Sequence, residues 1–164
     1  MKTLKNVLVI GILFALVILS SGNMIVLFIL ATFNVILLSF NLLARKSIAL
    51  KPYFLSPYNV FSAKYSKEFK VDIPAHLAFD KILEVIAESG FKLITQDKEQ
   101  LQILAVSSMG FKSWGENIYF SLKEVNGSTV VQFNSAALFQ IYTWGKNEDN
   151  YSLFFKKLEE SFII

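Results

Sequence analysis

Two short motifs carry the side chains that are best suited to binding. Trp114-Gly115-Glu116-Asn117 and Trp144-Gly145-Lys146-Asn147 each combine an indole, a glycine, a charged group and an amide. As a recognition rim, they would present two aromatic faces and opposite charges to a lipid headgroup, a peptide or a partner subunit. As structural elements, the indoles would close the core, the charges would pair, and the glycines would supply special backbone angles. Both interpretations stay open on the sequence alone.

Groups that are typical of enzyme active sites are sparse. The only histidine, His76, falls in the first turn of a predicted amphipathic helix, on its polar side, and no nucleophile motif supplies it with a partner. The chain has no Cys, which excludes disulfides, thiolate metal sites and cysteine nucleophiles. No glycine-rich loop offers a phosphate cradle. We therefore expect a protein without catalytic residues, cofactor or metal.

The clearest indication of where the protein is located in the cell is an apolar run at the start of the chain. From Leu4 to Leu43 almost no residue is charged, and one polar cluster, 20–23, divides the run into halves. Each half approaches the roughly 20 helical residues that cross a hydrocarbon core of about 30 Å. The run predicts a transmembrane hairpin over 1–46, with spans at about 4–21 and 24–43. The alternative is a cleaved signal peptide, which would leave the second span in place.

The charges that flank this run predict its orientation. Five basic residues border the two spans: Lys2, Lys5, Arg45, Lys46 and Lys51. Because such residues favour the cytoplasmic side, both termini are expected in the cytoplasm and the protein in the cell membrane as a multi-pass chain. The flanks also explain the net charge of +3, since the remaining chain has 11 basic and 13 acidic residues. Nucleic acid is therefore excluded as a partner on electrostatic grounds.

Two further features concern contacts at the membrane. Asn34 falls near the middle of the second span, where an amide seeks a hydrogen-bond partner, either in the first helix or in another membrane protein. The aromatic linker, 47–65, contains Lys51, Tyr53 and Phe54. With Arg45 and Lys46, these residues suit a headgroup layer of membrane lipids. The linker equally suits packing onto the domain that follows.

Residues 66–164 have the pattern of one α+β domain. Alternating apolar residues predict a strand over Glu68–Ile73, and helical spacing then predicts an amphipathic helix over Ala75–Glu88. The remaining elements are predicted in the order strand, strand, strand, strand, helix: Phe91–Thr95, Leu101–Ser107, Ile118–Val125, Ser128–Tyr142 and Glu148–Phe162, with Asn147 as the helix N-cap. A one-faced antiparallel sheet covered by two helices is the expected architecture.

The sharpest local prediction is a hairpin around Asn126-Gly127. This pair favours a type I′ turn, because both central positions need positive φ. If Val125 faces Ser128, Phe120 lies opposite Phe133 on the core face. The other face, which includes Tyr119, is expected to be exposed to water.

The element order β-α-β-β-β-β-α resembles the helix-grip or TATA-binding-protein-like class, in which a curved sheet wraps a long C-terminal helix. That resemblance implies a fold that in several families holds hydrophobic ligands between sheet and helix. The paired motifs at Trp114 and Trp144 are similar to a signature of uncharacterised bacterial membrane-anchored domains. This second resemblance implies a membrane-attached domain and no particular activity.

Two functions follow as hypotheses. The first is a non-catalytic, membrane-anchored cytoplasmic interaction domain, such as an accessory subunit of a membrane complex, which would bind lipids and a partner protein through Asn34 or the Trp motifs. The second is a lipid or apolar-ligand binding domain of helix-grip type. Five phenylalanines would line its cavity: Phe120, Phe133, Phe139, Phe154 and Phe155. Ordinary core packing is the competing interpretation of these residues.

Overall fold

The structure is a computed structural model that describes residues 23–44, 47–110, 113–137 and 140–162. The chain divides into two compact units, Met1–Leu43 and Ala44–Ile164.

In the first unit, helix α1 spans Met24–Ala44, where the second membrane span is predicted. Asn23 begins it, because its side-chain oxygen accepts hydrogen bonds from the backbone N–H of Ile25 (3.1 Å) and Val26 (3.4 Å). Counted over the residues that the structure describes, no helix is both long enough and apolar enough to cross a membrane. The first predicted span and the side-chain contact of Asn34 lie outside the described residues, so the hairpin stays a prediction.

The second unit contains a five-stranded antiparallel sheet and three α-helices among its described residues. The strand order is β1-β5-β4-β3-β2, so β1 and β2 form the edges. After a 3₁₀ turn at Ile48–Leu50 the elements are α2 (Lys51–Leu55), β1 (Lys64–Val71), α3 (Ala75–Glu88), β2 (Lys92–Asp97), β3 (Gln102–Val106), β4 (Glu116–Val125), β5 (Ser128–Ala137) and α4 (Lys146–Phe162). The α+β class and the order of the predicted elements are confirmed.

The β4–β5 hairpin has the predicted register. Val125 pairs with Ser128, and Phe120 lies opposite Phe133. The turn residues Asn126 and Gly127 have φ of 53° and 79°, as a type I′ turn requires. Pairing along this hairpin fixes which side chains face α3 and α4.

The strand boundaries next to this hairpin differ from the prediction. The strand β1 begins at Lys64, four residues before the alternating pattern, because Lys64 pairs with Ala136 on β5. The strand β5 ends at Ala137 and not at Tyr142. Beyond β5, the carbonyl of Gln140 accepts a hydrogen bond from the Ala63 N–H at 2.8 Å. The start of β1 and the end of β5 both depend on pairing with residues that are distant in sequence, which the local pattern does not show.

The main core lies between the sheet and helices α3 and α4. Phe120 and Phe133 from the hairpin meet Phe154 from α4, and Ile82 and Ile86 from α3 close the same core. The first turn of α3 is held by β4, since the Glu124 carboxylate accepts a hydrogen bond from the Ala75 N–H at 3.0 Å. A carboxylate at this position also complements the positive end of the helix dipole.

The opposite face of the sheet is covered in part by the linker that precedes β1. The prediction that this face, including Tyr119, is exposed to water is therefore wrong for the covered part. Phe54 of α2 is fully buried there against Leu104, Tyr119 and Ala136. The Tyr119 hydroxyl accepts a hydrogen bond from the Asn117 side chain at 2.9 Å, so a polar atom in this second core is satisfied. The linker before β1 therefore forms part of the domain.

Candidate functional site

The two Trp motifs lie at the same end of the sheet, opposite the Asn126-Gly127 turn, and both expose their indoles. Trp114 is 51% exposed and Trp144 is 65% exposed. The Trp144 ring makes an edge contact with Tyr142, with ring centroids 4.8 Å apart. Backbone φ is positive at Gly115, Trp144 and Gly145, so each motif turns sharply at this position. The sharp turns separate the outward indoles from the residues that follow.

The residues that follow the glycines point inward. Glu116, Asn117 and Asn147 are buried, and Glu116 has no exposed surface. Lys146 is half-buried, and among the described residues no ion pair joins it to Glu116. Asn147 lies inside α4 and is not its N-cap. The structure thus separates the predicted rim into exposed Trp residues and a buried polar half.

Glu116 is the centre of this buried polar half. The Ser107 hydroxyl donates a hydrogen bond to the Glu116 carboxylate and accepts one from the Glu116 N–H at 2.9 Å. The same carboxylate oxygen, Oε2, accepts a hydrogen bond from the Asn150 amide of α4 at 2.9 Å. The Glu116 carboxylate on β4 is thereby tied to Ser107, which directly follows β3, and to the C-terminal helix.

The second motif joins this arrangement through Ser135 of β5. The Ser135 hydroxyl donates to the Asn147 side-chain oxygen at 2.7 Å and accepts from the Asn150 amide at 3.4 Å. Five residues thus form one buried network, which we call the polar cluster: Ser107, Glu116, Ser135, Asn147 and Asn150. The cluster brings together Glu116 of the first motif and Asn147 of the second.

Two acceptor atoms of the polar cluster have no hydrogen-bond partner. They are Oε1 of Glu116 and Oδ1 of Asn150, and both atoms are buried. Within the described part of the chain, no Lys or Arg forms an ion pair with Glu116. Burial of a carboxylate without a cation and with one oxygen unpaired is costly, by several kcal/mol in effective terms. An unpaired buried acceptor calls for an explanation, and a bound group that donates hydrogen bonds is one such explanation.

An aromatic group borders the polar cluster where β1 meets α4. Tyr65 and Phe69 of β1 face Tyr151 and Phe155 of α4, and all four side chains are partly exposed. The ring centroids of Tyr65 and Tyr151 are 5.6 Å apart, and those of Phe69 and Phe155 are 5.4 Å apart. We call these four residues the aromatic seam. Partial burial raises the pKa of the Tyr151 phenol, and the neighbouring Tyr65 and Glu159 raise it further.

The phenylalanines predicted to line a cavity mostly form a packed core. Phe120, Phe133 and Phe154 are fully buried. The rings of Phe120 and Phe154 lie 4.7 Å apart, and those of Phe133 and Phe154 lie 5.9 Å apart, the distances of direct aromatic contact. Phe155 belongs to the aromatic seam, and Phe139 lies outside the described residues. Of the predicted lining, only Phe155 is placed at a partly open surface.

Of the five residues predicted for the headgroup layer, Phe54 and Lys51 make contacts within the domain. Phe54 is in the second core, and Lys51 donates hydrogen bonds to Gln102, at 3.3 Å, and to Ser121. Burial lowers the pKa of the Lys51 ammonium group. Tyr53 remains exposed. Arg45 and Lys46 lie outside the described residues.

The sequence pattern did not reveal Ser107, Ser135 and Asn150 as site residues. One signal was available for Asn150: Asn147, Asn150, Phe154 and Leu158 recur at helical spacing, and all four are buried on α4. A polar residue on the apolar face of an amphipathic helix indicates a buried hydrogen-bond network. For Ser107 and Ser135 no local signal exists, because strand pairing alone brings them to Glu116.

Comparison with known proteins gives fold neighbours only. No protein-family model matches the sequence, and no curated protein matches it. Ara h 8.0201 is similar in structure at a TM-score of 0.47 and 8% identity, over 61% of this chain and 97% of that one. TTHA0849 from Thermus thermophilus is similar at 0.44 and 13%, over 60% and 95%. Ginseng major latex-like protein 151 from Panax ginseng is similar at 0.47 and 6%, over 63% and 99%. At these values the similarity carries no functional argument.

Proposed function

We propose that the domain formed by residues 44–164 is a non-catalytic module that binds an apolar ligand of lipid type between β1 and α4. The observation that supports this proposal is the aromatic seam. Four partly exposed aromatic rings line the one side of α4 that meets the edge strand β1. An alkyl chain laid against such rings leaves water without losing any polar contact, which contributes about 0.8 kcal/mol for each buried methylene.

The position of the seam favours ligand entry over a ligand enclosed in the core. The rings at the centre of the core, Phe120, Phe133 and Phe154, already fill the space between sheet and helix. On the edge strand, in contrast, Phe69 packs against Phe155 with part of each ring exposed. A chain-like ligand therefore has its least costly access along the seam, where a small movement of α4 away from β1 enlarges an existing apolar surface.

We also propose that the protein is attached to the cell membrane with this domain on the cytoplasmic side. The support is the sequence, in which the apolar run from Leu4 to Leu43 is flanked by basic residues on both sides. Attachment of this kind would keep the seam close to a supply of lipid. It would also make long-chain amphiphiles the most abundant apolar molecules within reach.

A second candidate function is a membrane-anchored interaction domain, for example an accessory subunit. Its support is the exposure of Trp114, Tyr142 and Trp144 at one end of the sheet. Exposed aromatic side chains are enriched among residues that dominate the energy of protein interfaces. This candidate uses a different surface from the seam, so the two functions are separable by substitution.

Native mass spectrometry of the full chain, released gently from membranes, tests the ligand proposal. We expect one bound lipid per chain in the unaltered protein. Phe155→Lys should reduce that occupancy at least about tenfold, because an ammonium group in the seam opposes an alkyl chain by well over about 1.4 kcal/mol. Leu153→Lys is the matched control, since Leu153 is exposed on the same helix.

Three results would decide between the candidates. Absence of lipid in the unaltered protein, or equal occupancy in both lysine variants, would refute binding at the seam. A co-purifying protein that Trp144→Ala removes, in a sample without lipid, would favour the interaction domain. Equal melting temperatures for Phe155→Lys and Leu153→Lys are required, so that loss of lipid is not loss of the fold.

A further inference from the structure

The polar cluster lies at one end of the aromatic seam. Tyr65 of the seam pairs directly with Ser135 of the polar cluster across β1 and β5. Side chains of directly paired residues share one face of a sheet, with Cβ atoms about 4.5–5.5 Å apart. Tyr151 of the seam follows Asn150 of the cluster along α4. The apolar surface thus ends at a buried set of hydrogen-bonding groups.

We infer that the polar cluster binds the head of the ligand, and that this head is a primary ammonium group. The inference rests on the proposed function, because the seam is taken to hold the alkyl chain of the same molecule. Glu116 Oε1 and Asn150 Oδ1 are the receiving atoms. Both are buried acceptors without a partner, and their side chains are already joined through Glu116 Oε2 and the Asn150 amide at 2.9 Å.

The chemistry of the cluster selects a donor with positive charge. An ammonium group has three N–H donors and no acceptor, so its donors match unpaired acceptors such as Glu116 Oε1 and Asn150 Oδ1. It also supplies the cation that Glu116 lacks within the described part of the chain. A carboxylate or phosphate head would place a second negative charge beside Glu116 in a setting of low dielectric constant. An alcohol would donate one hydrogen bond and leave the charge unpaired.

The hydrogen bonds of Glu116 hold its carboxylate in place for this role. Ser107 and Asn150 both donate to Oε2. With Oε2 occupied on two sides, the carboxylate is oriented, and Oε1 is left as the free acceptor. Ser135 further fixes Asn150 by accepting from its amide. The ligand head therefore meets a site that is already arranged, which reduces the entropic cost of binding.

The test adds four probes with the same twelve-carbon alkyl group to the whole protein. The probes are dodecylamine, dodecanol, dodecanoate and dodecyltrimethylammonium. Native mass spectrometry at equal probe concentration gives the fraction of protein molecules that carry each probe. We expect dodecylamine to exceed dodecanol, dodecanoate and dodecyltrimethylammonium, each by at least about tenfold, which corresponds to about 1.4 kcal/mol. The trimethyl compound has the charge but no N–H donor, so the comparison isolates hydrogen bonding in the unaltered protein.

Glu116→Gln gives the second arm of the test, since the amide keeps the shape of the side chain and removes its charge. We expect the preference for dodecylamine over dodecanol to fall to about twofold or less in this variant. Glu148→Gln is the control, because Glu148 is an exposed carboxylate at the start of the same helix. It should keep the full preference and thus exclude amine binding to surface acids.

The outcomes distinguish this inference from the proposed function. If all four probes bind equally, or if the amine preference survives in Glu116→Gln, the ammonium site is refuted while the lipid-binding seam stands. If no probe binds at all, the proposed function itself fails. Should Glu116→Gln not fold, the comparison of dodecylamine with its trimethyl analogue in the unaltered protein decides the inference alone.

Discussion

The Phe54→Ala substitution separates a linker that only borders the membrane from one that completes the fold. Phe54 lies on α2, ahead of the first strand, and its ring is fully buried against Leu104, Tyr119 and Ala136. Truncating a buried Phe to Ala removes its apolar contacts and leaves a cavity, at a cost of about 3–5 kcal/mol. For a domain of this size the melting temperature should fall by more than about 10 °C.

Thermal unfolding of the full chain in mild detergent, followed by near-ultraviolet circular dichroism, measures this effect. Tyr58→Ala is the control within the same linker, because Tyr58 is 89% exposed. Its free energy of unfolding should change by no more than about 0.5 kcal/mol. Equal and small effects of the two substitutions would refute the second core, and would return the linker to the headgroup layer that its composition suggests.

Three further predictions concern stability. Ser135→Ala removes the donor to Asn147 and should lower the free energy of unfolding in urea by about 1–3 kcal/mol. Ser152→Ala, at an exposed site on α4, should leave that free energy almost unchanged, and equal effects of the two substitutions would contradict the polar cluster. Gly127→Ala, at φ 79°, should lower the urea midpoint by an amount that corresponds to about 1–2 kcal/mol, and an unchanged midpoint would contradict the turn geometry. Burial raises the pKa of Tyr119 to about 12 from 10.0, so the unfolded chain loses this proton first, and stability should fall between pH 10 and 12 by about 1.4 kcal/mol for each pH unit. In Tyr119→Phe this part of the alkaline loss should disappear, and an identical pH profile in both proteins would show that Tyr119 is not responsible.

Features that depend on neighbours in sequence were predictable. The Asn126-Gly127 pair set the hairpin and its register, because a two-residue turn with positive φ at both positions leaves one way to align the strands. The helix at Ala75–Glu88 has the predicted bounds. Its apolar face repeats at helical spacing, and Ser89-Gly90 stops it with positive φ at the glycine.

Features that depend on distant contacts were not predictable. Phe54 resembles an interfacial aromatic residue in sequence, and only the surface formed by β3, β4 and β5 makes it a core residue. Glu116 and Lys146 looked like an ion pair because both follow a Trp-Gly step. In the structure Glu116 turns to Ser107 and Asn150, partners that lie 9 and 34 residues away. Such partners are fixed by strand pairing and helix docking, which local patterns do not encode.

The most direct test of ligand binding at the aromatic seam is paramagnetic broadening in the NMR spectrum of the full chain. The probe is a twelve-carbon amine that carries a nitroxide label at the end of its chain. The proposal predicts selective broadening of the backbone amides of Phe69, Tyr151 and Phe155, with the amides of the opposite edge strand β2, Lys92–Asp97, unaffected. Broadening confined to Trp114 and Trp144, or none above that of a detergent-matched sample, would contradict it.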